Sequence, residues 1–244
     1  MSDQIATTHF PVVTPHGQIQ TLFDDVFFVQ GSVMMAPGFQ VSRSMIIVRE
    51  GRQLTLISPI RLDDAGLQYL DTLGEVKHLV KLGNYHLGAH NGLDDAFYQD
   101  RYQAKLWAMP NMTHKHGLVT DVELIEGGDL PFSQAKFISI PSSKMPEGVI
   151  VLEQNQGVLI AADSFQNWLG DAFFSENALT QMQKMGFIRA ANIGPEWRRV
   201  CEPEKADFER ILNEDFQHLL PSHGVPLLSS AKAAFHETLK EKFE

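Results

Sequence analysis

The chain has 244 residues, 43% hydrophobic and 20% charged, with a formal net charge of −10, which excludes a disordered chain and permits a sizeable core. An acidic surface repels phosphate backbones, and no run of Lys and Arg supplies a basic patch, so nucleic acid is not an expected partner. The one cysteine, Cys201, excludes an intrachain disulfide; with no basic, apolar leader at the N-terminus and no segment of bilayer-spanning length, a cytoplasmic protein without a membrane partner is expected.

β-Type runs fill the first quarter. "DVFFVQGSVMM" and "SRSMIIVRE" are rich in Val, Ile, Phe and Met, and "IVREGRQLTLI" reads as a hairpin with Gly51 at its turn. "DDAGLQYLDTLG" reads as a helix capped by Asp63 or Asp64, carrying Leu67, Leu70 and Leu73, and stopped by Gly74. "VKHLVKL" is a strand, "LDDAFYQDRY" a helix and "AKLWAMP" a strand, in β-α-β rhythm.

Short strands follow: "VELIEG", "AKFISI", "GVIVLEQ" and "GVLIAAD", the last two joined by the hairpin loop "EQNQG". After "DSFQNW" the chain reads as helical. "SENALTQMQKMG" has Ser175 as its cap and Gly186 as its stop. "PEKADFERILNEDFQHLL" is predicted as one long helix with Phe208, Ile211, Leu212, Phe216 and Leu219 on one face. "SAKAAFHETLKEKF" closes the chain as a helix. The order of strands, helices, strands, helices suggests two sheets face to face with helices outside, and residues 1–244 read as a single domain.

Four polar residues stand where elements end. His86 follows "VKHLVKL", with Asn84 two residues before it; Asp163 ends "GVLIAAD"; His223 lies in "LPSHG" after the predicted long helix. Two imidazoles and a carboxylate are a reasonable ligand set for Zn²⁺ or Fe²⁺. Taken singly, each has an ordinary alternative: a loop histidine, a helix-capping aspartate, a turn. His114 and His116 in "MTHKHG" form a rival pair, but one in a loop with no acidic or cysteine neighbour. His90, four residues after His86, reads as the solvent-facing start of a helix. Phe165, Trp168, Phe173 and Phe174, after Asp163, read either as a pocket wall or as packing. Cys201 beside "RRV" reads as structural, and neither a nucleophile elbow nor a nucleotide-binding glycine motif is present.

The ordered set of pieces resembles the metallo-β-lactamase superfamily. "LTLISPI" resembles its strand ending "LIDTG", "LVKLGNYHLGAH" the segment carrying H-x-H-x-D-H, "IPSSKMPEGVIVL" the stretch with the next ligand, "GVLIAADSF" the strand delivering the bridging Asp, and "LLPSHG" the closing "LPGHG". The resemblance runs from about Val26 to Gly224 and implies an αββα four-layer sandwich, two mixed sheets flanked by helices. His86, Asp163 and His223 match ligand positions of that pattern, whereas Asn84, Gly88, Ala89 and Lys144 (or Ser143) replace ligands, and Ser58 replaces the usual Asp. What it implies is therefore a site reduced to one Zn, Fe or Mn ion, or to none. His86, Asp163 and His223 would be the ligands, Asn84 a weak donor, and Asp163 and His86 the groups nearest the chemistry. The expected activity is hydrolysis of an ester, amide, lactone-type carbonyl or phosphate ester in an unknown small molecule. The alternative is a binding module that has lost its metal. Lys144 reads as a solvated surface residue.

Overall fold

The computed structural model describes residues 10–86, 94–115 and 117–243. A seven-stranded sheet runs in chain order through β1 (Gln20–Phe23), β2 (Val26–Ala36), β3 (Phe39–Glu50), β4 (Gln53–Ile57), β5 (Glu75–Lys81), β6 (Lys105–Ala108) and β7 (Val122–Glu123). Its first four strands are antiparallel neighbours; β4 to β7 pair in parallel. The parallel crossovers contain α1 (Asp64–Leu73) and α2 (Asp95–Tyr102). Asp63 caps α1, its side chain accepting from Gly66 N, and Gly51 turns β3 into β4 with φ 61°.

A second sheet has the order β13-β10-β9-β8, from β8 (Ala135–Ser139), β9 (Gly148–Leu152), β10 (Val158–Ala161) and β13 (His218–Pro221). β8, β9 and β10 are antiparallel neighbours, whereas β13 lies parallel to β10. A two-stranded sheet joins β11 (Gln166–Trp168) to β12 (Arg189–Asn192).

Alternation along the strands explains the layering. Val26, Phe28, Ile46 and Val48 meet Ile150, Leu152, Val158 and Ile160 between the two large sheets. Their neighbours Phe27, Val29, Met45 and Ile47 pack on the other face against Leu67, Leu70, Phe97 and Tyr98 of α1 and α2. Val151, Leu159 and Ala161 face outward onto Trp197, Phe208, Ile211, Phe235 and Leu239. Those residues belong to α4 (Pro195–Cys201), α5 (Lys205–Leu212) and α6 (Ala231–Phe243). Sheets covered on both faces read as continuous apolar runs, and the result is the αββα four-layer sandwich. α3 (Glu176–Lys184) packs separately, Ala178 and Met182 meeting Val33, Val41 and Trp168.

Two sequence expectations change. The region after "DSFQNW" is not helical throughout, since strand β12 interrupts it between α3 and α4 and pairs back onto β11. The predicted long helix stops at Leu212, and His218–Pro221 is strand β13. Phe216 and Leu219 are buried as the helical pattern requires, but in an irregular segment and a strand. Periodic apolar spacing reports burial against a common core, and a short segment satisfies it in either backbone form. Leu219 is drawn into the sheet opposite Leu159 of β10. No helix among the described residues is long and apolar enough to cross a membrane.

Candidate metal centre

The parallel register of β10 and β13 explains half of the site. Ala161 pairs with Pro221, so Asp163 and His223, each two residues beyond, leave the sheet side by side. Ser222 N donates to Ala161 O at 2.9 Å, holding the two exits together. The His223 loop is anchored to the other sheet by Ser44, whose N donates to Ser222 O and whose Oγ donates to Gly224 O, both at 2.8 Å. His86 arrives from that sheet, five residues after β5 ends at Lys81. His223 thus follows a strand, not the helix expected of it.

His86, Asp163 and His223 are all buried, and each offers one donor atom within 4.8 Å of the other two. His223 Nε2 lies 3.2 Å from Asp163 Oδ1, and His86 Nδ1 lies 3.4 Å from Asp163 Oδ2. Tetrahedral ligation with bonds of about 2.0–2.1 Å needs donors about 3.3 Å apart. His86 Nδ1 and Asp163 Oδ2 are buried and make no hydrogen bond. Two nitrogens, one carboxylate and two unsatisfied facing atoms fit a Zn²⁺, Fe²⁺ or Mn²⁺ ion.

The electrostatics agree. Burial lowers the His86 pKa and outweighs the pull of Asp163, so the imidazole is neutral, the form that binds metals. Burial pushes the Asp163 carboxyl up, but contact with His223 and His86 overcomes this and holds it well below the usual carboxylate range.

No protein-family profile matches the chain, and no curated protein sequence matches it. Solved structures do. VMB-1 superposes with a TM-score of 0.62 at 14% identity, over 94% of this chain and 99% of that one. The metallo-β-lactamase FIM-1 from Pseudomonas aeruginosa, solved in its mono-zinc form, gives 0.60 at 13% identity, over 95% and 97%. The chain has the metallo-β-lactamase fold. A flavo di-iron protein variant from Thermotoga maritima gives 0.60 at 13% identity, over 93% of this chain and 62% of that one, so the likeness extends to a larger protein of another kind.

Within the metallo-β-lactamase fold, several other positions flagged by the sequence make contacts of their own. Asn84 is buried, but its Oδ1 accepts from Thr113 N at 2.7 Å and Thr113 Oγ1 at 3.0 Å. Lys144 lies at the surface, its Nζ 2.5 Å from Glu202 Oε1, and Ser143 Oγ donates to Met145 O. Ser58 shares a 2.7 Å hydrogen bond with Ser222 Oγ. His114 meets Thr120 Oγ1 at 2.8 Å through Nε2 and lies 3.4 Å from Lys81 Nζ through Nδ1. Gly88, Ala89, His90 and His116 lie outside the described residues. Cys201 is buried, and burial raises its thiol to about 11, as a structural role requires.

Of the four aromatics, Trp168 stacks on His223, while Phe165 packs against Phe208 and Phe235 in the core. Phe174 lies against Trp168.

Two acids near the site carried no sequence signal. Glu147 in "MPEGV" reads as a turn residue before a strand, yet it is fully buried. Burial, then the neighbouring Asp163 charge, raises its carboxyl well above the usual range. Asp94, beside the start of α2, ion-pairs with Arg43 in the interior. An acid next to an apolar run carries no mark of whether it will be enclosed.

Proposed function

We propose that this protein is a metal-dependent hydrolase with a single-ion site, held by His86, Asp163 and His223. The convergence of these three buried groups, two of them with unsatisfied facing atoms, carries the reading. A bound Zn²⁺, Fe²⁺ or Mn²⁺ supplies a Lewis acid for a carbonyl or phosphoryl oxygen and lowers the pKa of water. Asp163 stays ionised at neutral pH and offsets the charge of a cation. His86 remains neutral and so presents a lone pair without first losing a proton. Asn84 is assigned to positioning, because its oxygen already accepts two hydrogen bonds from Thr113 and thereby ties the His86 turn to that segment. The substrate is a small molecule bearing an ester, amide, lactone-type or phosphate ester bond. The buried, unpaired Cys201 thiol is in keeping with a reducing, cytoplasmic setting.

The test is metal analysis of protein purified without chelator. Stoichiometric Zn, Fe or Mn that is lost in a His86→Ala, His223→Ala double variant is the expected result. Metal-free protein whose melting temperature is unmoved by added Zn²⁺ overturns the reading, because a ligand specific for the folded state must stabilise it.

One observation favours a second reading. Asp163 already stands within ion-pair distance of both imidazoles. In a binding module that has lost its metal, this triad would act as a structural contact between the two sheets. Metal-free wild type, destabilised by the double substitution, would select it.

A further inference from the structure

Glu147 immediately precedes β9, and none of it reaches solvent. Its main-chain neighbourhood is stitched to the end of β5. Asn84 N donates to Pro146 O at 2.8 Å, Gly148 N donates to Leu82 O at 3.0 Å, and Glu147 stands opposite Gly83 in an isolated bridge. Its side chain reaches the other strand end, where Oε1 accepts from Ser164 N at 2.6 Å, at the peptide that follows Asp163. The carboxyl also lies flush against Gly83, where an added Cβ would stand 2.8 Å from Oε2 and 3.2 Å from the Ala162 Cβ.

Glu147 therefore touches both the segment leading to His86 and the segment carrying Asp163. These two segments come from different sheets, and the main-chain link between them is indirect, running through the Gly83–Glu147 bridge and then the β9–β10 pairing. Leucine would fill a similar volume without the cost of dehydrating a carboxyl. Oε2 makes no hydrogen bond, so the gain from the polar group is concentrated in the short bond to Ser164 N.

We propose that Glu147 is a positioning residue: by gripping the Asp163–Ser164 peptide from the Gly83 side, it sets the separation of Asp163 and His86. The inference rests on the metal-site reading above. Groups behind a metal ligand commonly change affinity 10- to 100-fold when removed.

Glu147→Gln retains an oxygen that accepts from Ser164 N; Glu147→Leu keeps the volume and removes the acceptor. Zn²⁺ affinity by chelator competition, melting without metal, and crystal structures of the metal-free variants decide the matter. The Gln variant is expected to bind Zn²⁺ within about threefold of wild type, and the Leu variant about 10- to 100-fold more weakly. In the metal-free Leu crystal, the Asp163 carboxylate is expected to move from His86 by about 1 Å or more. Wild-type affinity and unmoved Asp163 in the Leu variant, or a Gln variant as impaired as Leu, overturns the proposal. Should the Leu variant fail to fold, Gly83→Ala presses a methyl onto Oε2, and an Asp163 left in place there refutes the proposal. If wild type itself takes up no Zn²⁺, the hydrolase reading fails, and the metal-free crystals still judge the positioning of Asp163.

Discussion

The imidazole of His223 stacks on the indole of Trp168, with ring centroids 4.5 Å apart and planes inclined by 28°. Trp168 Nε1 donates to Ser42 Oγ at 2.6 Å, which pins the indole to β3. His223 Nδ1 is buried and makes no hydrogen bond. Metal-binding histidines are as a rule oriented by a hydrogen bond from the second ring nitrogen. Here an aromatic face holds the ring.

Replacing that face should therefore loosen the site. Trp168→Leu is expected to weaken Zn²⁺ binding by about tenfold, and Trp168→Phe, which keeps a stacking surface, by less. Chelator competition on folded variants measures this. Equal affinities for wild type and the Leu variant would remove the stacking argument.

Asp95, the first residue of α2, gives a pH-dependent prediction. Burial pushes its carboxyl up from 3.8 to about 6, against the opposing pull of Lys81. Below about pH 4 the group is neutral in both the folded and the unfolded chain and has no effect on stability. Between pH 4 and 6 the folded state holds the proton more tightly, so stability falls as pH rises. Above pH 6 the full penalty applies, at most about 3 kcal/mol at 1.36 kcal/mol per pKa unit. Asp95→Asn should stabilise the protein at pH 8, and the gain should vanish at pH 4. Denaturant melts at both values are the measurement, and a gain of equal size at both would contradict it.

Gly224 is the position where a side chain is least tolerable near the site. Its φ is +104°, and an added Cβ would stand 1.9 Å from Asn167 O, a backbone atom. Gly224→Ala must displace either the His223 loop or β11. A loss of more than about 1 kcal/mol of stability is expected, because the native backbone conformation is closed to alanine. Metal retention should fall with it. A variant with wild-type melting and metal content would show that the loop adapts freely.

Lys144 stands where the superfamily pattern places a ligand, but its ammonium pairs with Glu202 at the surface. Lys144→Ala should leave metal content unchanged and alter stability by less than about 1 kcal/mol, the range for exposed ion pairs. A marked change in metal content would place the side chain in the site in solution.

The order of strands, helices, strands, helices by itself suggested two sheets with helices outside, and the superfamily resemblance sharpened this to the αββα sandwich. In the structure Val26–Val29 and Met45–Val48 are apolar on both parities because both faces of their sheet are covered. The Asp63 cap and the Gly51 turn were legible because each rests on local backbone chemistry. His86, Asp163 and His223 each had an ordinary alternative and were legible as a set only through the superfamily resemblance that their order carries. What only the tertiary structure decided depends on contacts between distant segments. The period that marked a helix through Leu219 became a strand once β10 offered it a partner. Asn84 lost its oxygen to Thr113, Lys144 turned to Glu202, and Glu147 came to lie between two sheets. Local spacing records which side chains avoid water; it does not record which remote group they will meet when they do.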